Sequence, residues 1–144
     1  MKSEICALCD SSDVRLIHKS SDKLGSREFL LCAVCDLIHV PRRYHLTPDA
    51  EKARYLLHNN DPDDPEYRKF LSRLWGVLRL ELADGSKGLD FGSGPGPALV
   101  QMAREDGFDV GAYDPYFAPE TSVLESRYDF ITCTETAEHF ASPA

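Results

Sequence analysis

No apolar run in this chain approaches the roughly 18 residues that crossing a bilayer requires. The first ten residues, MKSEICALCD, also lack the apolar stretch of a signal peptide, because Glu4 interrupts them almost at once. Positive charge is scarce: 16 Lys and Arg stand against 24 Asp and Glu, a formal net charge of −8. That balance disfavours a protein that lives on phosphate backbones. The expectation is a cytoplasmic protein, without membrane attachment, whose substrate is a small molecule or a protein and not a nucleic acid. With 144 residues, 42% of them hydrophobic, the chain has room for one ordinary domain, or for a small domain plus part of another.

Cysteine is sparse but patterned. Four of the five fall in two C-x-x-C pairs, Cys6-Ala7-Leu8-Cys9 and Cys32-Ala33-Val34-Cys35, and Cys133 stands apart. A C-x-x-C turn brings two thiolates to one side of an ion, and zinc wants four soft ligands at tetrahedral corners. The 22 residues between the pairs suffice for a hairpin, so the spacing is that of a zinc ribbon. A redox dithiol, disulfides or an iron centre would use the same sulfurs. A thioredoxin-like site, however, needs one pair beside a βαβ unit, and disulfides need an oxidising compartment. With cysteine in all four positions no site is left for water, so the metal is read as a structural staple. His39 and His45 are read as surface or packing residues.

Three segments differ in character, and they predict domains over 1–45, 46–85 and 86–144. In the first, Val14–Ile17 and Arg27–Leu31 read as strands around a turn from Ser20 to Ser26. In the second, Thr47-Pro48 opens a helix running to about Leu57 that stops in the Asn59-Asn60-Asp61-Pro62 cluster. Asp64-Pro65 opens another, on which Tyr67, Phe70, Leu71, Leu74, Trp75 and Leu78 recur at helical spacing as one apolar face. In the third, a short apolar run enters a glycine cluster, a helix spans about 97–106, and strands are predicted over Phe108–Tyr113 and Tyr128–Thr134. Strand, helix and strand with tight turns imply a parallel sheet. Cys133, inside an apolar strand, is read as buried. No internal repeat is expected.

The glycine cluster carries the chemistry. Leu89-Asp90-Phe91 leads into Gly92-Ser93-Gly94-Pro95-Gly96. A dinucleotide turn, G-x-G-x-x-G, would put its third glycine at position 97, which is Pro97. The spacing here is G-x-G-x-G. Glycine removes side chains where backbone must approach a ligand and permits positive φ. An acid at the end of the next strand would accept from ribose hydroxyls, and Asp114 ends the run FDVGAYD, 18 residues after Gly96.

On these residues the chain resembles the class I S-adenosylmethionine-dependent methyltransferases. Their first motif matches Leu89–Gly96, their second-strand acid matches Asp114, and their fourth-strand motif is similar to YDFITCTETAEHF, residues 128 to 140. A bacterial subgroup joins a C-x-x-C ribbon to a stretch like His45-Leu46…Glu51-Lys52…Arg54-Tyr55…His58, followed by D-P-x-D-P-x-Y, here Asp61 to Tyr67.

The resemblance implies an α/β fold: a partial Rossmann-like methyltransferase sheet preceded by a small zinc ribbon and a helical segment. It implies that Asp90, Ser93 and the backbone of Gly92, Gly94 and Gly96 hold the amino-acid end of S-adenosylmethionine. Asp114 would take the ribose, with Tyr116 or Phe117 flanking the adenine. Glu135, Glu138 and His139 would lie near the transferring methyl, as catalytic groups or as hydrogen-bonding fixtures of the loop. Arg54, Tyr55, His58 and Asn59 would line the site from a lid helix.

The family sheet has seven strands, and this sequence ends a few residues after the stretch that resembles the fourth. The expectation is therefore a sheet truncated after the fourth strand, whose open edge invites self-association. Two function classes follow: a methyltransferase, and a non-catalytic zinc-ribbon interaction module with a vestigial cofactor-binding fold.

Overall fold

Two pentapeptides, Cys6-Ala7-Leu8-Cys9-Asp10 and Cys32-Ala33-Val34-Cys35-Asp36, fold alike. In each, the aspartate N–H donates to the carbonyl of the first cysteine, at 3.2 Å for Asp10 and 3.1 Å for Asp36. Each aspartate takes a left-handed backbone, φ 56° and 58°, which a short polar side chain tolerates better than most. The chain thus reverses within five residues, twice. The two C-x-x-C turns read in the sequence thus share one backbone geometry.

The computed structural model describes residues 4–22, 25–57 and 61–141. Its contacts divide the chain into two units, one of Met1–Thr47 with His139–Ala144 and one of Pro48–Glu138. In the first unit, β1 (Val14–Asp22) and β2 (Gly25–Cys32) form an antiparallel hairpin, and the short β3 (Ile38–His39) pairs with the other edge of β2. The strands reach further into the predicted turn than its polar composition suggested, since Asp22 still pairs with Gly25. Lys19 bonds Glu28 at 2.8 Å, and Arg43 bridges Glu28 and Glu4. Such exposed pairs contribute little. Among the described residues of 4–47, Cys6, Leu30, Cys32 and Pro41 are the buried ones. So small an apolar interior needs a crosslink to hold it.

The second unit begins with α1 (Pro48–Tyr55) and α2 (Pro65–Glu81). Asp64 caps α2, its Oδ1 accepting from the N–H groups of Glu66 and Tyr67 at 2.8 and 3.3 Å, while Pro65 occupies the first turn. Leu71 and Trp75 are buried against α3 (Ala98–Glu105), with Tyr67 and Leu78 half-buried beside them. Phe70 and Leu74 stay 38% and 40% exposed. That corrects the predicted six-residue face: periodicity shows which side of a helix is apolar, not how wide a stripe its partner covers.

The sheet runs β5 (Asp109–Tyr113), β4 (Lys87–Phe91), β6 (Phe130–Thr132), with both outer strands parallel to β4. Chain order therefore reverses at β4, and in open parallel sheets ligands bind beyond the C-terminal strand ends at such a switch point. Gly88 faces the Phe130 ring so closely that a Cβ there would lie 2.2 Å from it. The third predicted strand is shorter than 128–134. Beyond Thr132 the ladder ends, and Glu135 turns into a left-handed conformation at φ 52°. Cys133 is exposed, not buried as expected. It alternates with Thr132 and so shares the outer face with Ile131, itself 63% exposed.

Trp75 locks helix to sheet. Its ring meets Phe108 edge-on at 5.2 Å and Phe130 at 6.0 Å, and its Nε1–H donates to Asp106 Oδ2 at 2.8 Å. Trp75→Ala is expected to destabilise this unit by about 3–5 kcal/mol. Phe70→Ala, on the exposed flank, should cost under about 1 kcal/mol. Urea unfolding followed by far-ultraviolet circular dichroism compares the two, and equal losses would contradict the packing described.

Candidate functional site

The parallel register sets Asp90 beside Thr132. Thr132 Oγ1 donates to Asp90 Oδ1 at 2.7 Å, with Asp90 only 6% exposed. Burial pushes the Asp90 carboxyl up to about 6, against the opposing pull of the Thr132 hydrogen bond.

After Phe91 the chain turns sharply. The N–H groups of Gly92 and Ser93 both donate to Tyr113 O, at 2.7 and 3.2 Å, tying the turn to the end of β5. Gly92 and Gly94 have φ 78° and 67°, values that favour glycine. A Cβ on Gly92 would also lie 2.2 Å from Thr136 Cγ2. The close neighbour of Gly92 is therefore a side chain of the loop after β6. Thr136 Oγ1 lies 3.3 Å from Gly92 O and 3.0 Å from Thr134 O. Gly96 is buried, and its carbonyl accepts from Ala98 N–H at 2.8 Å where α3 begins.

Asp114, 7% exposed, closes the far side. Its Oδ2 accepts from Gly94 N–H at 3.0 Å, and its Oδ1 accepts from Tyr116 and Phe117 N–H at 2.8 and 3.1 Å. A carboxylate has about four lone-pair sites, so three are in use and one, on Oδ2, is left for a ligand hydroxyl. The Tyr116 hydroxyl donates to Glu51 Oε2 of α1 at 2.7 Å. That bond is the main reason its phenol is pushed up to about 12.

Asp90, the glycine turn, Asp114 and Tyr116 thus form one connected neighbourhood at the C-terminal ends of β4 and β5. Two hydroxyls there are buried without a partner among the described residues, Ser93 Oγ and Thr134 Oγ1. Buried hydroxyls without partners are uncommon and carry a desolvation cost. Glu135 and Glu138 follow β6 and are exposed, as is His139. Within this stretch, Thr136 touches the glycine turn at Gly92. On α1, Arg54 is exposed and Tyr55 is half-buried, while His58 and Asn59 lie outside the described residues.

In the first unit, the Sγ atoms of Cys6, Cys9, Cys32 and Cys35 lie within 4.8 Å of one another. Cys6 and Cys35 are 3.6 Å apart, and Cys9 and Cys32 are 3.7 Å apart. Four sulfurs about 2.3 Å from a central ion sit about 3.8 Å from each other, so the cage has the dimensions of a tetrahedral metal site. The N–H groups of Leu8 and Val34 point at Cys6 and Cys32 sulfur, at 3.5 and 3.4 Å.

A family model described as "Methyltransferase domain" matches residues 56–144, more than half of the chain. The chain belongs to the methyltransferase-domain family. A search of curated proteins finds no match to it. The matched span of this methyltransferase domain begins after α1 and takes in α2, the glycine turn, Asp114 and the loop after β6. The four-cysteine cage and α1 lie outside it. Thr132, Thr134 and Thr136 were missed in the sequence. A parallel register would have pointed to Thr132, but nothing local marks the other two.

Asp90 yields a pH prediction. Its carboxyl titrates near 6 when folded, against an ordinary value of 3.8. The folded chain therefore holds the proton more tightly, and stability falls as pH rises from about 4 to about 6. The shift corresponds to about 3 kcal/mol above that window. Asp90→Asn, whose amide oxygen still accepts from Thr132, should be more stable than the parent at pH 8. The advantage should fade by pH 4. Urea titrations across pH measure it, and a pH-independent difference would contradict the burial argument.

Proposed function

We propose that this methyltransferase domain binds S-adenosylmethionine in the crevice beyond β4 and transfers its methyl to a small molecule or a protein. The observation that carries the reading is the pair of buried hydroxyls, Ser93 and Thr134, that have no partner among the described residues, near a buried carboxyl group and a glycine turn. The donors and acceptors fit the ligand's amino-acid and ribose groups. A net charge of −8 supports an acceptor other than nucleic acid.

When bound, S-adenosylmethionine supplies an electrophilic methyl on a sulfonium. The chain's own residues hold and orient it. Asp90, ionised beside an ammonium group, would accept from it, and the cation would offset the burial that raises its carboxyl. Ser93 and Thr134 would exchange their unpartnered state for bonds to the ligand. Asp114 offers its remaining lone pair to one ribose hydroxyl; a second would displace a backbone N–H from the same carboxylate. Tyr116 and Phe117 would flank the adenine. Glu135, Glu138 and His139, past the end of β6, are the groups from which a base or an orienting contact for the acceptor would come. Most of the rate effect would then be positional.

The cysteine cage is read as a structural zinc site, since four thiolates leave no open position. A cytoplasmic setting agrees with this, because it keeps the thiols reduced. Ile131 is exposed on β6, an outer strand of the sheet among the described residues, which supports a further reading, that the edge of this strand pairs with a second copy of the chain.

Calorimetry on zinc-loaded protein tests the central reading, with one zinc per chain and S-adenosylmethionine bound one to one as the expected result. Stripping the metal should expose the β1 and β2 amides to hydrogen exchange, as a staple requires. Absence of S-adenosylmethionine binding would instead support a non-catalytic ribbon module, and tighter binding of NAD an oxidoreductase. For the edge, sedimentation should show concentration-dependent dimers that Ile131→Lys abolishes. A monomer at millimolar concentration would dismiss the pairing.

A further inference from the structure

Helix α1 is fastened to its unit by side-chain contacts, because none of its residues is buried. Those contacts converge on the turn that follows β5. Glu51 takes one hydroxyl on each oxygen, Tyr116 on Oε2 at 2.7 Å and Tyr55 on Oε1 at 3.1 Å. The two tyrosine rings touch, tilted by 41° with centroids 6.2 Å apart. Next to them, Lys52 Nζ sits 5.7 Å from the centre of the Phe117 ring. Tyr116 and Phe117 are the residues whose N–H groups close on Asp114. One line of contacts therefore runs from the glycine turn through Asp114, Tyr116 and Glu51 to Tyr55.

We propose that Glu51 is a positioning residue for the nucleoside end of the crevice: by holding the Tyr116 and Tyr55 hydroxyls at once, it fixes the Tyr116 ring and fastens α1 beside Asp114. This deepens the methyltransferase reading and rests on it. The physical gain is preorganisation. A tyrosine on an irregular turn otherwise has two free side-chain torsions, and ordering them on binding weakens affinity. With the hydroxyl already held, a purine nucleoside meets a wall that is in place. A carboxylate suits the task because it offers a separate oxygen to each phenol, whereas a glutamine has a single acceptor oxygen.

The bland alternative is that Glu51 serves only the helix, as an acid in the first turn of α1. The two roles separate by experiment. Glu51→Ala, Glu51→Gln, Tyr116→Phe and the double variant Glu51→Ala/Tyr116→Phe are compared with the parent in two measurements. Hydrogen exchange over residues 48–55 without ligand reads the fastening of α1. Calorimetry with S-adenosylhomocysteine, and separately with adenosine, reads the wall.

Glu51→Ala should speed α1 exchange and weaken both ligands by about tenfold, a loss of the order expected for ordering freed side chains. Tyr116→Phe should weaken both ligands similarly, and Glu51→Gln should fall between Glu51→Ala and the parent. The double variant should lose no more than the larger single loss, because both changes break the same contact. Unchanged α1 exchange in Glu51→Ala would overturn the fastening. Parental affinities in Glu51→Ala and Tyr116→Phe would overturn the positioning role while leaving the methyltransferase reading intact. A parent that binds neither ligand would overturn both.

Discussion

The hydrogen bond from Gly94 N–H to Asp114 Oδ2, 3.0 Å long, joins the two halves of the site. It adds a side-chain tie to the two backbone bonds by which Gly92 and Ser93 N–H hold the glycine turn to Tyr113 O, and it reaches the tyrosine-bearing turn after β5. One carboxylate, buried and holding three backbone N–H groups, fixes both. A carboxyl group offers two acceptor oxygens, so one side chain can hold donors from both turns. The parallel pairing of β4 with β5, which aligns Phe91 with Tyr113, brings the two turns to the same level so that the bond can form.

Around that fixture the site holds unspent interactions. Among the described residues, Asp90 is buried with one hydroxyl donor, Thr132, and the Ser93 and Thr134 hydroxyls have none. Each costs the fold desolvation energy, and under the proposed function a polar ligand would offset that cost. Binding sites commonly trade stability for function in this way. The four-cysteine unit, with few buried residues, trades in the other direction. It has little to lose from a thin core if a metal holds its four sulfurs together.

What was legible in the sequence was what depends on short, fixed spacing. The C-x-x-C pairs, the G-x-G-x-G turn and the acid at the end of the next strand each encode local geometry, and Asp64-Pro65 marks the start of α2 by its own chemistry. The contacts between distant segments were not legible. Thr132 reaches Asp90 across 42 residues and Tyr116 reaches Glu51 across 65, and such meetings follow from register and packing. The exposure of Phe70, Leu74 and Cys133 has the same origin. Periodicity assigns a face, while the partner element decides how much of it is covered.

The central claim is that the turns after β4 and β5, tied by Asp114, form one nucleoside-cofactor site. Titrating S-adenosylhomocysteine into ¹⁵N-labelled, zinc-loaded protein tests it most directly. The account predicts saturable shifts of the Gly92, Ser93, Gly94 and Tyr116 amides that follow one binding curve. Shifts confined to other regions, or none at saturating ligand, would contradict it.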